Sequence, residues 1–442
     1  MTESEARPMI RGANGGDLGW FLEARFGMFI HFGLYALPAR HEWVMSREEI
    51  APDAYERYVR YFDPDLFDPD EWARAAADAG MRYVVLTTKH HEGFCLWDSD
   101  LTDYSVTATP YGRDLIGPFV EAVRAAGLKV GFYHSLLDWH HPDFAVDDFH
   151  PLRSRPDVPA LNAAKDGNRY REYLHGQVRE LLTKYGRIDY LFFDFSYEDG
   201  TIPESSVLPG KGPSFWGSTE LLALVRELQP GIVVNDRLGI PGDFITPEQY
   251  QPAGPMSRDG KPIVWEACQT LNGSWGYDRD NPDFKPVDLL IRMLVDGVSK
   301  DGNMLLNVGP TARGNFDPRA IASLRGVGDW MRLHGRSIYG AGPSAFTPPL
   351  DARYTRRGDR LYLHLFAWPL QHVHLPGLAG KVDYAQLLND ASEIGLVTLP
   401  PGAQASTIHP GGQPEGTLTL KLPIQRPDVA VPVVELFLAA GT

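Results

Sequence analysis

Three acidic residues stand where a charge is expensive. Asp194 ends the apolar stretch Tyr190-Leu-Phe-Phe193, Glu248 lies in Phe244-Ile-Thr-Pro-Glu-Gln-Tyr250, and Glu266 in Val264-Trp-Glu-Ala-Cys268. An ionised carboxylate at the edge of a dry core has to be hydrogen-bonded or paired. One such residue could simply cap a turn, but strand after strand in this chain ends on a polar side chain, which argues for a site. Two carboxyl groups together suit glycoside cleavage. They stand about 5 to 5.5 Å apart when one is the nucleophile, or about 6.5 to 9.5 Å apart when a water lies between them. Asp194 is the first carboxylate. For the acid, Glu248 is preferred because a loop position gives partial exposure, and strand-borne Glu266, near the barrel axis, is the second choice.

The surrounding residue types fit a sugar. His31, Glu42, Trp43, His90, His91, Tyr133, His134, Asp138, Trp139, Phe192, Asn235 to Arg237 and Trp275 mix hydrogen-bonding groups with aromatic platforms, as pockets for polar ligands with C–H faces do. Each also has a plainer reading. His31 could be a core histidine bonded to a carbonyl, Asp236 and Arg237 a strand-end ion pair, and Trp43 and Trp275 loop anchors. His90 and His91 must point opposite ways unless the strand ends between them. A metal-dependent hydrolase would show His-x-His on its first strand, where this chain reads His31-Phe-Gly33, so neither metal nor cofactor is expected.

Positioning these groups requires a repeated scaffold. Helical stretches at 68–80, 115–127, 169–185, 218–228 and 286–298 alternate with strands ending near His31, His91, His134, Asp194, Arg237, Glu266 and Asn307. Such alternation means a parallel sheet. Because nearly every strand ends on a polar residue, a (β/α)8-like TIM barrel, complete or with one degenerate unit, explains the pattern better than an open sheet with a single crevice. Residues 34–62 and 238–262 read as long functional loops. After a hinge at 339–343 the texture changes to short β-prone runs at 360–366, 418–422 and 431–438, which predicts a small antiparallel β-sandwich. The division expected is 1–345 for the barrel and 346–442 for the sandwich.

Composition narrows the partners. Lys and Arg number 42 against 57 Asp and Glu, a net charge of −15, which disfavours nucleic acid and anionic membranes. Two cysteines, Cys95 and Cys268, lack metal-ligand spacing and suggest buried thiols. The first residues lack the apolar core of a signal peptide, giving a cytoplasmic expectation. Assembly into a homo-oligomer is left open.

Phe29-Ile-His-Phe-Gly33, Lys89-His-His-Glu-Gly-Phe94, Phe192-Phe-Asp194, Asn235-Asp-Arg237, Thr246-Pro-Glu-Gln249, Trp265-Glu266, Asn272-Gly-Ser-Trp-Gly-Tyr277 and Leu305-Leu-Asn-Val-Gly-Pro310 follow one another along most of the chain. In that order they resemble the α-L-fucosidases of glycoside hydrolase family 29. The resemblance implies a barrel followed by a β-sandwich and retaining exo-hydrolysis of a fucosylated oligosaccharide or glycoconjugate through a covalent fucosyl-enzyme. It implies Asp194 as nucleophile and fucose contacts by His31, Glu42, Trp43, His90, His91, Tyr133, His134 and Arg237. The family's acid/base is its least regular feature, so Glu248 keeps its place on the residues' own evidence. Phe192 stands where many members have Trp, and Phe195-Ser-Tyr197 replaces the commoner Gly after the nucleophile; both alter the pocket wall. The competing readings are a catalytically silent glycan-binding barrel and a retaining glycosidase for another sugar.

Overall fold

The computed structural model describes residues 11–12, 14–198, 208, 210–398, 404–406 and 411–442. Seven parallel strands form one sheet: β1 (Phe26–Ile30), β2 (Tyr83–Lys89), β3 (Lys129–Ser135), β4 (Tyr190–Asp194), β5 (Val233–Val234), β6 (Trp265–Thr270) and β7 (Gly302–Val308). Their order is β5-β4-β3-β2-β1-β7-β6. The two edges are joined by the segment 244–248, which bridges in parallel from Phe244 to Asn235, from Ile245 to Trp265 and from Glu248 to Cys268. That segment is the degenerate unit of the barrel. Part of what the sequence presents as a loop at 238–262 therefore closes the ring, and Glu248 rides at its carboxyl end.

The helices start and stop where their side chains dictate. Asp68 accepts a hydrogen bond from the Glu71 N–H, Pro69 opens the helix Pro69–Asp78, and Gly80 turns the chain out at φ 82°. Strands buried at every position, such as β1, β2 and β4, carry apolar residues toward both the helices and the barrel axis. Alternate residues fill the interior. Tyr83 and Val85, Tyr190 and Phe192, Phe29, Tyr133, Cys268 and Leu305 share one apolar cluster with Leu18 and Phe21 of the N-terminal helix Leu18–Ala24. The Phe21 ring lies 5.0 Å from Phe244, 5.8 Å from Tyr83 and 6.0 Å from Tyr190. This plug seals the amino-terminal end of the barrel and leaves the carboxyl end of the strands to bind ligand.

After the barrel, β8 (Ala352–Arg357), β9 (Arg360–Leu365), β11 (Val382–Leu387) and β14 (Val433–Leu438) form an antiparallel sheet. A second sheet pairs β13 (Leu418–Lys421) with β10 (His372–Leu375) and β12 (Gly395–Thr398). Leu361, Leu363, Leu375, Leu420, Val434 and Leu436 pack between them as a separate apolar core. Trp330 Nε1 donates to the Val431 carbonyl at 2.8 Å, and Arg353 meets Asp296 at 2.8 Å, tying this core to the barrel helices. Among the described residues no helix is long and apolar enough to cross a membrane.

Candidate active site

Asp194 ends β4 with its carboxylate almost entirely buried. The Tyr133 hydroxyl donates to Oδ2 at 2.8 Å, and Arg237 Nη1 donates to Oδ1 at 2.7 Å. Asn235 holds the strand end in place by bonding both the N–H and the C=O of Phe193, at 3.0 and 2.9 Å. The next residue, Phe195, has φ 76°, a left-handed conformation that most side chains avoid. The chain leaves the strand sharply there, directly after the carboxylate.

Arg237 also reaches Glu248. Its Nη2 lies 2.7 Å from Glu248 Oε2, its Nε donates to Thr246 Oγ1 at 2.8 Å, and the guanidinium sits 5.0 Å above the Phe192 ring. Burial alone would favour loss of its proton, but the charge of Asp194 offsets this and pushes the pKa further up. The Glu248 side chain is 40% exposed while that of Asp194 is 12% exposed. One carboxylate is thus walled in and the other stands at the mouth. Gln249, at φ 57°, turns the chain after Glu248 and fastens its amide to Thr270 Oγ1 at 2.9 Å.

The histidines present lone pairs. Ser135 Oγ donates to the Leu137 carbonyl at 2.9 Å, so it must accept from His91 Nδ1, 2.6 Å away. His91 Nε2 is left unprotonated, 3.8 Å from Asp194 Oδ2. The same reasoning fixes His31: Asn307 Nδ2 donates to the Trp275 carbonyl, so its Oδ1 accepts from His31 Nδ1 at 2.6 Å. Burial, and then His90, hold His31 down at about 3 and push His91 in the same direction. Because β2 ends at Lys89, His90 and His91 are freed from strand alternation and both line the pocket.

The structure brings His31, Trp43, His90, His91, Tyr133, Phe192, Asp194, Arg237, Glu248 and Trp275 around one small pocket of about 100 Å³. Asp138, Trp139, Asn235 and Asp236 are not among its lining residues, and three more expected residues stand elsewhere. His134 follows Tyr133 on β3 and so faces the other side, donating Nδ1–H to Thr88 Oγ1 at 3.0 Å because that hydroxyl donates to the Tyr133 carbonyl. Glu42 lies behind the wall, accepting from the N–H groups of Trp275 at 3.1 Å and Gly276 at 2.7 Å. Burial would raise its pKa, but His41 and the Gly276 N–H hold it down at about 2. It fixes the loop that carries Trp275. Glu266 is buried in the barrel, bonded by the hydroxyls of Tyr83 and Tyr190, the latter at 2.6 Å. Tyr190 precedes Asp194 by four residues, about 13 Å of strand at roughly 3.3 Å per residue, so Glu266 belongs to a layer below the pocket.

Phe29, Phe195 and Cys268 also line the pocket. Phe29 and Cys268 are legible in the sequence only as core residues. Glu92, 3.6 Å behind His90 Nδ1, follows two histidines in sequence, and that adjacency is its one signal. Among the described residues no three His, Cys, Asp or Glu side chains converge so as to hold a metal ion. A larger cleft of about 930 Å³, lined by Arg82, Arg325, Arg332 and Arg336 beside Gly80 and Tyr339, lies at the amino-terminal ends of the strands, away from these carboxylates.

Comparison with known proteins agrees with this geometry. The family model for alpha-L-fucosidase matches residues 17–336. The chain is 30% identical to the tissue alpha-L-fucosidase of Rattus norvegicus, over 95% of this chain and 90% of the relative. Among solved structures it is similar to alpha-L-fucosidase isoenzyme 1 from Paenibacillus thiaminolyticus, with a TM-score of 0.87, 47% identity, and coverage of 96% of this chain and 98% of that one. A GH29 alpha-L-fucosidase from Bacteroides thetaiotaomicron gives a TM-score of 0.81 at 28% identity, covering 98% and 99%. Barrel, ordered motifs and walled carboxylate therefore coincide with an extended match in sequence, and the chain belongs to the alpha-L-fucosidases of glycoside hydrolase family 29.

Proposed function

We propose that the protein is a retaining exo-α-L-fucosidase in which Asp194 is the nucleophile and Glu248 the acid/base. The observation that carries the assignment is the single Arg237 guanidinium donating to both carboxylates at 2.7 Å. One guanidinium spanning both groups is compatible with the separation of about 5 to 5.5 Å that direct attack requires. A related fucosidase from Bacteroides thetaiotaomicron has been trapped as a covalent intermediate with 2-fluoro-fucosyl fluoride in a glutamate-to-glutamine variant, which supports the same two-step course here.

In the first step Asp194 attacks the anomeric carbon while Glu248 gives its proton to the departing oxygen, so the C–O bond to the leaving group breaks as the ester bond forms. In the second, Glu248 takes a proton from water, the water oxygen bonds the anomeric carbon, and Asp194 leaves as carboxylate. Tyr133 and Arg237 keep the attacking carboxylate aimed. His91 Nε2 and Asp194 Oδ2 are both acceptors, and a sugar hydroxyl next to the anomeric carbon can donate between them. A pocket of about 100 Å³ suits one terminal ring. The test is proton NMR of an aryl α-L-fucoside during hydrolysis by purified protein. α-Fucose appearing first supports the reading; β-fucose first, or no turnover, sinks it.

A further inference from the structure

We propose that Tyr250 and Phe195 form the subsite for the leaving sugar, an uncharged hexopyranose of a glycan; the inference rests on the roles given to Asp194 and Glu248. The acid must touch the glycosidic oxygen, which belongs to the leaving group. The first ring of that group therefore lies against whatever borders Glu248 on its solvent side.

Tyr250 follows Glu248 by two residues and is 54% exposed. Its backbone is held, since Gln269 Nε2 donates to its carbonyl at 3.0 Å and the Gln249 N–H donates to the Cys268 carbonyl at 3.1 Å. An exposed aromatic ring on fixed backbone two residues after the acid can serve as a platform for the C–H face of a sugar. On the other loop, Phe195 lines the pocket in a conformation that glycine would adopt freely. Its ring lies 5.2 Å from His91, 5.4 Å from Trp43 and 4.8 Å from Phe149. A large aromatic side chain kept at an unfavourable φ and lining the pocket marks a wall rather than a turn.

The test compares kcat/KM for α-L-fucosyl fluoride, whose leaving group has no ring, with that for a fucosyl disaccharide. Tyr250→Ala should lower the disaccharide value roughly tenfold more than the fluoride value, while Tyr250→Phe keeps the ratio within about twofold, because the ring and not the hydroxyl makes the contact. Phe195→Gly should lose the same preference. Equal losses on both substrates, or no change on either, overturn the subsite. If the wild-type protein releases fluoride but the variants do not differ, the subsite alone fails. If it releases neither product, the enzymatic reading fails and the subsite falls with it.

Discussion

Arg237 Nη1 stands 2.7 Å from Asp194 Oδ1, and this pairing sets the state of the whole pocket. With the cation on one oxygen and the Tyr133 hydroxyl on the other, the carboxylate is fixed in direction before a sugar arrives.

Removal of that carboxylate should abolish turnover without emptying the pocket. Asp194→Gly is expected to lose at least about a thousandfold in kcat on an aryl α-L-fucoside, and azide should restore part of the rate by occupying the space and attacking the anomeric carbon. Substantial residual activity, or no recovery with azide, would remove Asp194 from the nucleophile's role.

The partner is tested through the leaving group. A general acid contributes about a hundredfold to ten-thousandfold, and its contribution grows as the departing oxygen becomes more basic. Glu248→Ala should therefore keep most of kcat/KM on 2,4-dinitrophenyl fucoside and lose it on a disaccharide, while kcat falls on both because the second step has lost its base. A loss in kcat/KM independent of leaving group would assign the proton to another residue.

Much of the fold is legible in the sequence because its signals are local. Asp68, Pro69 and Gly80 bound their helix by capping chemistry, and the polar ends of apolar runs mark the strand ends. What the sequence hides is depth and facing. Tyr133 and His134 look equivalent as strand-end residues, yet strand alternation admits only Tyr133 to the pocket. Glu266 reads as an active-site carboxylate, but two tyrosine hydroxyls hold it lower in the barrel. His90 and His91 can both enter only because β2 stops at Lys89, a boundary that periodicity does not fix to one residue. The sandwich strands β8, β10, β11 and β12 escape a sequence reading because short runs with alternating burial, such as His372–Leu375, carry few apolar residues each.

The Tyr133 hydroxyl makes a separable contribution. Its bond to Asp194 Oδ2 steadies the attacking group, and burial together with the neighbouring Asp194 charge keeps the phenol protonated by pushing its pKa well up. Tyr133→Phe keeps the ring stacked 5.7 Å from Phe192 and removes only a donor to a charged group, a loss of about 1.5 to 3 kcal/mol. The expected result is a fall of roughly tenfold to a hundredfold in kcat/KM with an unchanged melting temperature. A melting temperature that falls while activity persists would make the bond structural.

Glu266 should reveal itself in stability rather than in catalysis. Burial pushes its pKa up to about 7, against the hydroxyls of Tyr190 and Tyr83, which pull it down. Between the ordinary value of 4.5 and about 7 the folded protein holds this proton and the unfolded chain has released it. The folded state binds more protons in that window, so stability is greatest below it and is lost as pH rises through it. A rise of that size in a carboxyl pKa corresponds to about 3 kcal/mol. Glu266→Gln cannot ionise, so its stability relative to wild type should improve by about that amount between roughly pH 4.5 and pH 8 in urea unfolding. A difference that stays constant with pH would mean that Glu266 titrates as in the unfolded chain. Fucoside turnover by the same variant should remain within about tenfold of wild type, because the side chain lies outside the pocket. Loss of all turnover from a folded Glu266→Gln protein would instead draw this buried carboxyl into the chemistry.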